Sequence, residues 1–171
     1  MFKQRMVTFS KIKLNNIDKL KKIIIISLSK NSKLDSFTKE LNTLTGGVIE
    51  RVLGSSTFTE QKPNSCLTIN FPEGLCSDAI IIMKIDKSVT TEKAREAGAN
   101  LAKILGQRDA IAFFNEDPLA FEILFGFLLK EYRFDKHKSK TDEKKISMDV
   151  LVETPSKSRK IYAEYQNIID G

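Results

Sequence analysis

The sequence predicts an α/β fold, a mixed β-sheet held between layers of helices, and three observations predict it. Residues 22–28 (KIIIISL) are an almost unbroken run of β-branched residues, which is how a strand covered on both faces reads. Residues 78–85 (DAIIIMKI) are a second such run. Residues 119–134 are apolar at Leu119, Phe121, Ile123, Leu124, Phe125, Phe127, Leu128, Leu129, Tyr132 and Phe134. At helical period this leaves one narrow polar stripe of Glu122, Gly126, Lys130 and Arg133. A helix so apolar has to be covered on nearly all sides, yet it is too short and too charged to span a membrane. Buried strands separated by helical segments describe an α/β chain.

The remaining elements follow in order. Residues 6–13 (MVTFSKIK) alternate loosely and predict a strand, and the Asn- and Lys-rich residues 15–22 connect it to the run at 22–28. Ser32 can cap a helix whose stripe is Leu34, Phe37, Leu41 and Leu44. Gly46 and Gly47 break it, and Val48, Ile49, Val52 and Leu53 form a second short stripe ended by Gly54. Residues 55–64 read as a polar loop. Residues 66–71 (CLTINF) alternate as a strand stopped by Pro72 and Gly74. Thr90 and Thr91 open a helix with Ala94, Ala97, Leu101, Ile104 and Leu105 inward, and Gly106 ends it. Its small residues, Ala94, Ala97 and Gly98, suit close packing. Residues 109–114 (DAIAFF) predict a short strand. Asp117 as cap and Pro118 in the first turn open the apolar helix. Residues 135–145 are a charged connection. Ile146, Met148, Val150 and Val152 alternate with wetter residues, which suits an edge strand. Pro155 and Ser156 open a last helix with Ile161, Tyr162, Tyr165, Ile168 and Ile169 on one face.

Composition bounds the function. The chain has 171 residues, 41% hydrophobic and 29% charged, as a globular domain with a real core should. Residues 1–11 lack the apolar core and cleavage site of a signal peptide, so a cytoplasmic location without membrane contact is expected. Cys66 and Cys76 come without a Cys-x-x-Cys or a histidine cluster and are expected to be reduced, packed thiols. The net charge of +6 permits nucleic-acid contact. However, neither lysine cluster, Lys11 to Lys22 or Lys136 to Lys145, is interleaved with aromatics.

Gly126, Leu128-Leu129, Tyr132-Arg133-Phe134-Asp135 and the run from Lys136 to Lys140 resemble the segment that closes the N-terminal domain of the leucyl (cytosol) aminopeptidase family, with His137 where that family often has Tyr. Gly46-Gly47 before Val48–Leu53, and the strand ending at Ile85 followed by a helix carrying Arg95, Ala97 and Gly98, are similar too. The family's glycines near Lys84–Lys87 and after Phe58 are absent. The resemblance covers residues 1–171 and implies a macro-domain-like, three-layer α/β/α sandwich around a mixed sheet. It implies a parent enzyme that releases N-terminal amino acids from peptides using two divalent metals, manganese or zinc. The ligands for those metals lie in a separate C-terminal catalytic domain, and the family's Asn-Thr-Asp-Ala-Glu-Gly-Arg motif does not occur here. The chain itself is expected to be inactive, with no catalytic, cofactor-binding or metal-ligating residue. The partners implied are the parent's own catalytic domain and further copies in a hexamer that this domain helps assemble. A DNA-binding module is the alternative, because some bacterial members also bind DNA.

The residues themselves offer no catalytic constellation. His137 is the one histidine and lies among lysines, as a solvated residue would. The carboxylates are spread along polar faces, whereas two-metal hydrolysis needs several converging on one site. Gly46-Gly47 reads as a helix break rather than a phosphate cradle. Tyr132, Phe134, Tyr162, Tyr165 and Ile168 are either core of this domain or surface shared with the catalytic domain.

Overall fold

The computed structural model describes residues 5–29, 33–86, 89–114, 119–135 and 146–171, apart from the side chains of 133–135. The strands are β1 (Met6–Lys11), β2 (Ile23–Leu28), β3 (Cys66–Asn70), β4 (Ala79–Lys84), β5 (Ala110–Phe113) and β6 (Ser147–Val152). The helices are α1 (Ser36–Leu44), α2 (Val48–Leu53), α3 (Ser56–Glu60), α4 (Thr91–Leu105), α5 (Leu119–Asp135) and α6 (Pro155–Asp170). A 3-10 turn at Ile17–Lys19 interrupts the connection between β1 and β2.

The strands form one sheet in the order β1-β6-β5-β2-β4-β3. Every neighbouring pair is parallel except β3 with β4, so the sheet is mixed, as expected. The isoleucine runs occupy interior strands, with Ile24 opposite Ile80 and Ile25 opposite both Ile81 and Ala112. Alternation then divides them between two cores. Ile24, Ile26, Ile80 and Ile82 face Phe37, Leu41, Ile49 and Phe58 of α1, α2 and α3. Ile23, Ile25, Ile81 and Met83 face the other way, toward Ala97 and Leu101 of α4 and Leu124 and Phe127 of α5. Tyr162 and Ile169 of α6 pack against this second core. The result is the expected α/β/α sandwich.

Several expectations change. The residue that caps α1 is Asp35, whose carboxylate accepts from the Thr38 N–H at 2.8 Å, while Ser32 lies outside the described residues. Residues 55–64 are not all loop: Ser55 caps α3 by accepting from the Phe58 N–H, and the burial of Phe58 holds that short helix down. Ile104 is 38% exposed, because α4 turns Ala102 inward instead, while Leu105 is buried as expected. Strand β6 is not an edge. Strand β1 runs parallel along its whole length, and the edges are β1 and β3. The wetter alternation of β6 marks a polar sheet face, where the Thr8 and Ser10 hydroxyls both donate to the Asp149 carboxylate. Asp117 and Pro118 lie outside the described residues, as do residues 136–145 with His137 and their lysines.

The polar stripe of α5 is also not a wet face. Gly126 is buried against the backbone of Arg95, and Gly98 of α4 is buried against the backbone of Ile123 and Phe127. Helices α4 and α5 therefore touch main chain to main chain, with a glycine at each contact.

Two buried cations close the loops around the sheet. Arg5 is 2% exposed and donates to the carbonyls of Arg108 at 2.6 Å and Gly106 at 2.7 Å. It also donates to the Glu131 carboxylate at 2.9 Å and stacks on the Phe127 ring. Lys84 donates to the carbonyls of Phe58, Thr59 and Gln61, at 2.7, 3.0 and 2.7 Å, at the negative end of α3. At the β3 edge, Phe71 has φ 49° and is 79% exposed.

A Cβ at Gly98 has no room to move into, because what it meets is backbone. Gly98→Ala should therefore destabilise the chain by about 3 kcal/mol, at the upper end of overpacking costs, as read from the midpoint of urea unfolding. An unchanged midpoint would show that the two helices separate without cost.

Candidate functional site

The sheet and the α4–α5–α6 layer do not fill the space between them everywhere. Toward the carboxyl ends of β1, β6 and β5, a cavity of about 240 Å³ lies under α5 and α6. Alternation aims Phe9 of β1 and Val150 and Val152 of β6 into it from the sheet. Phe121 and Leu124 of α5 close one side, where Ala120 is the small residue that leaves room, and Ile161 of α6 closes another. The Phe9 ring meets Tyr162 edge-on, with centroids 5.4 Å apart, and lies 6.3 Å from Phe121.

The polar members of the lining are Thr154, Lys157 and Ser158, all at the start of α6. Thr154 occupies the N-cap but makes no capping bond through its side chain, and Pro155 contributes no N–H. Lys157, Arg159 and Lys160 follow, with no acid in the first turn.

A second cluster ties the three helices of this layer together. Glu122 of α5 accepts from Arg95 Nε of α4 at 2.6 Å and from the Tyr165 hydroxyl of α6 at 2.7 Å. The Arg95 guanidinium lies over the Phe125 ring, which packs on Tyr165. The hydrogen bond to Glu122, with burial, pushes Tyr165 up to about 12. Burial, aided by the charges of Asp170 and Glu131, raises Tyr162 to about 12 as well. Both are neutral donors near pH 7, so neither serves as a base. Burial alone pushes the Cys66 thiol up to about 12, which keeps it un-ionised and a poor nucleophile.

Tyr162 and Tyr165, either core or shared surface in the sequence, thus pack within the chain. Tyr132 is half-buried, Ile168 is 67% exposed, and the side chain of Phe134 lies outside the described residues. Gly46 and Gly47 are left-handed at φ 65° and 84°. Their N–H groups return to the carbonyls of Thr43 and Asn42, which closes α1 and opens α2, a helix break as expected. Cys66 and Cys76 are both free thiols, but only Cys66 is partly packed; Cys76, in the turn between β3 and β4, is exposed rather than packed as expected. Among the described residues, no three His, Cys, Asp or Glu side chains come together as a metal site requires, and no helix is long and apolar enough to cross a membrane.

No family model matches the chain. It is 28% identical over 148 residues to a probable cytosol aminopeptidase of Dinoroseobacter shibae, covering 86% of this chain and 30% of that protein. A probable cytosol aminopeptidase of Cereibacter sphaeroides is 28% identical over 123 residues, 72% of this chain and 25% of that protein. One of Rhizobium leguminosarum is 24% identical over 159 residues, with coverages of 84% and 32%. The chain thus spans 25% to 35% of the length of the curated relatives it matches. Among solved structures, the macrodomain of Mycobacterium tuberculosis DarG superposes with a TM-score of 0.58 at 4% identity, covering 86% of this chain and 99% of that one. A macrodomain mutant from Oceanobacillus iheyensis gives 0.58 at 13% identity, covering 96% and 90%. The fold is macrodomain-like, and the resemblance to a macrodomain-like portion of cytosol aminopeptidases holds in both comparisons.

The raised tyrosines set a pH dependence. Between pH 10.0 and about 12 the unfolded chain has lost phenolic protons that the folded chain still holds. Their contribution is thus complete below pH 10.0 and lost as pH rises through about 12. Glu122→Gln should bring the Tyr165 titration back toward 10.0, followed as phenolate absorbance. Tyr165→Phe should cost about 1 kcal/mol at neutral pH. If Glu122→Gln leaves the titration in place, the hydrogen bond is not the cause.

Proposed function

We propose that this chain is the non-catalytic N-terminal domain of a cytosol aminopeptidase, one domain over residues 1–171, and that it works by contact. The observation that carries the reading is the pattern of coverage. The likeness extends over 86% of this chain but only 30% of the Dinoroseobacter relative, so the chain corresponds to one part of such an enzyme. Its own side chains support the assignment of that part to structure. Arg95 of α4, Glu122 of α5 and Tyr165 of α6 are engaged with one another, and Glu131 of α5 is paired with Arg5.

In this reading, peptide hydrolysis belongs to a catalytic domain that supplies ligands for two divalent metals, manganese or zinc, and six copies assemble around it. What this chain contributes is a rigid sandwich whose helices are locked by backbone contact and buried cations. The outward Ile168 near the end of α6 is an apolar contact point for the catalytic domain. DNA binding by the same domain is the second reading. The net charge of +6 and the basic start of α6 favour it.

The pure chain, supplied with manganese or zinc, is expected to release no leucine from a chromogenic leucyl amide, and turnover would overturn the non-catalytic assignment. Mixed with the separately produced catalytic two-thirds of a cytosol aminopeptidase from its own source, it should co-elute on gel filtration. Separate elution would count against the contact role. A shift of duplex DNA at low salt that vanishes steeply as salt rises would instead support the second reading.

A further inference from the structure

We propose that the cavity under α5 and α6 is a binding site for a small carboxylate with an apolar tail, an aryl- or alkyl-alkanoate of about ten non-hydrogen atoms. The inference stands apart from any role beside a catalytic domain. Volume fixes the size. An engineered apolar cavity of roughly 150 Å³ holds benzene, and this one, at about 240 Å³, has room for a ring and a short chain. The walls fix the tail, because Phe9, Phe121, Leu124, Val150 and Val152 offer no hydrogen-bonding side-chain group.

The polar end fixes the head. Ser158 lines the cavity and is only 6% exposed. Its backbone N–H is used, donating to the Thr154 carbonyl at 3.2 Å, but among the described residues its hydroxyl has no hydrogen-bond partner. The hydroxyl reaches the space of the cavity, where a bound group can supply the partner. The Thr154 hydroxyl, at the same end, is likewise not spent on capping. Both sit at the positive end of a 16-residue helix, where the first-turn N–H groups of Ser156 and Lys157 have no intrahelical acceptor.

Charge points the same way. Helices gain stability from acids in the first turn, yet here there are none, and Lys157, Arg159 and Lys160 add to the positive end. Arg159 leans back on the Phe9 carbonyl at 3.4 Å, which leaves Lys157 as the cation on the cavity lining. A carboxylate at this end accepts from the Ser158 and Thr154 hydroxyls and faces the Lys157 ammonium, while its tail fills the apolar space.

The test titrates the 171-residue chain with 3-phenylpropionate, followed by amide chemical shifts. Saturable binding with a Kd on the order of 1 mM is expected, with the shifts centred on the start of α6 and on Leu124. Ser158→Ala and Lys157→Glu should each weaken it by about tenfold with the melting temperature almost unchanged. Ala120→Phe, which fills the space, should abolish it, and 3-phenylpropan-1-ol should bind at least about tenfold more weakly. The proposal is overturned by any of three results: no saturation, equal binding of the alcohol, or indifference to both α6 variants. Tighter binding of phenyl phosphate or of ADP-ribose at the same residues would also overturn it, since the head would then be a phosphate.

Discussion

The closeness of α4 and α5 governs the arrangement of the rest. Two helices approach main chain to main chain only where side chains are missing, and Gly98 and Gly126 remove them on both partners. With α5 pressed against α4, its remaining apolar faces must be covered by the sheet and by α6. That is why a helix with aromatic or aliphatic residues on most sides is stable here. The same approach brings Arg95 within reach of Glu122, and Glu122 within reach of Tyr165, so three helices share one polar contact. Glycine is costly inside a helix, by roughly 1 kcal/mol relative to alanine. The burial of the neighbouring Phe127, Leu128 and Ile123 side chains, each contributing roughly 2 kcal/mol, offsets that cost.

Arg5 and Lys84 solve a different problem. The loop that enters β5 and the last turn of α3 carry carbonyls with bonding capacity that strands and helices leave over. A buried cation with several donors can take up two or three of them at once, whereas leaving them unpaired away from water is expensive. Lys84 does so by relying on the accumulated carbonyl dipoles at the end of α3 and on the Phe58 ring. Each cation therefore trades the loss of its hydration for many short contacts, and the geometry of its loop becomes fixed by them.

Much of the fold was legible in the sequence, because isoleucine runs report burial on both faces and Gly46, Gly47 and Gly106 mark where helices stop. What stayed hidden was whatever depends on partners distant in the chain. The polar stripe of α5 read as wet because Gly126 and Glu122 are not apolar, and only the position of Arg95 shows them to be an interface. Strand β6 read as an edge because Asp149 alternates with valines, and nothing local signals that Thr8 and Ser10 from the other end of the chain satisfy it. Residues 56–60 look polar, and a helix of five residues there depends on one buried phenylalanine. The cavity left no signature either, since its walls come from two strands far apart in the sequence, from Phe114 just beyond β5 and from two helices. Ser158 gave no sign of being buried.

The parallel pairing of β1 with β6 sets when this sheet can be completed during synthesis. Thr8 and Asp149 are 141 residues apart, and the first strand has no neighbour in the sheet other than the sixth. As the ribosome delivers the sheet's strands in order, the first strand is made before the others but must wait, unpaired, until the sixth has followed. Its loose alternation, with Thr8, Ser10 and Lys11 among Val7 and Phe9, suits a segment that has to remain in water without attracting a neighbour. The interior isoleucine strands have no such wait beyond Phe113, so a nascent chain can lay down the middle of the sheet first and add its beginning last.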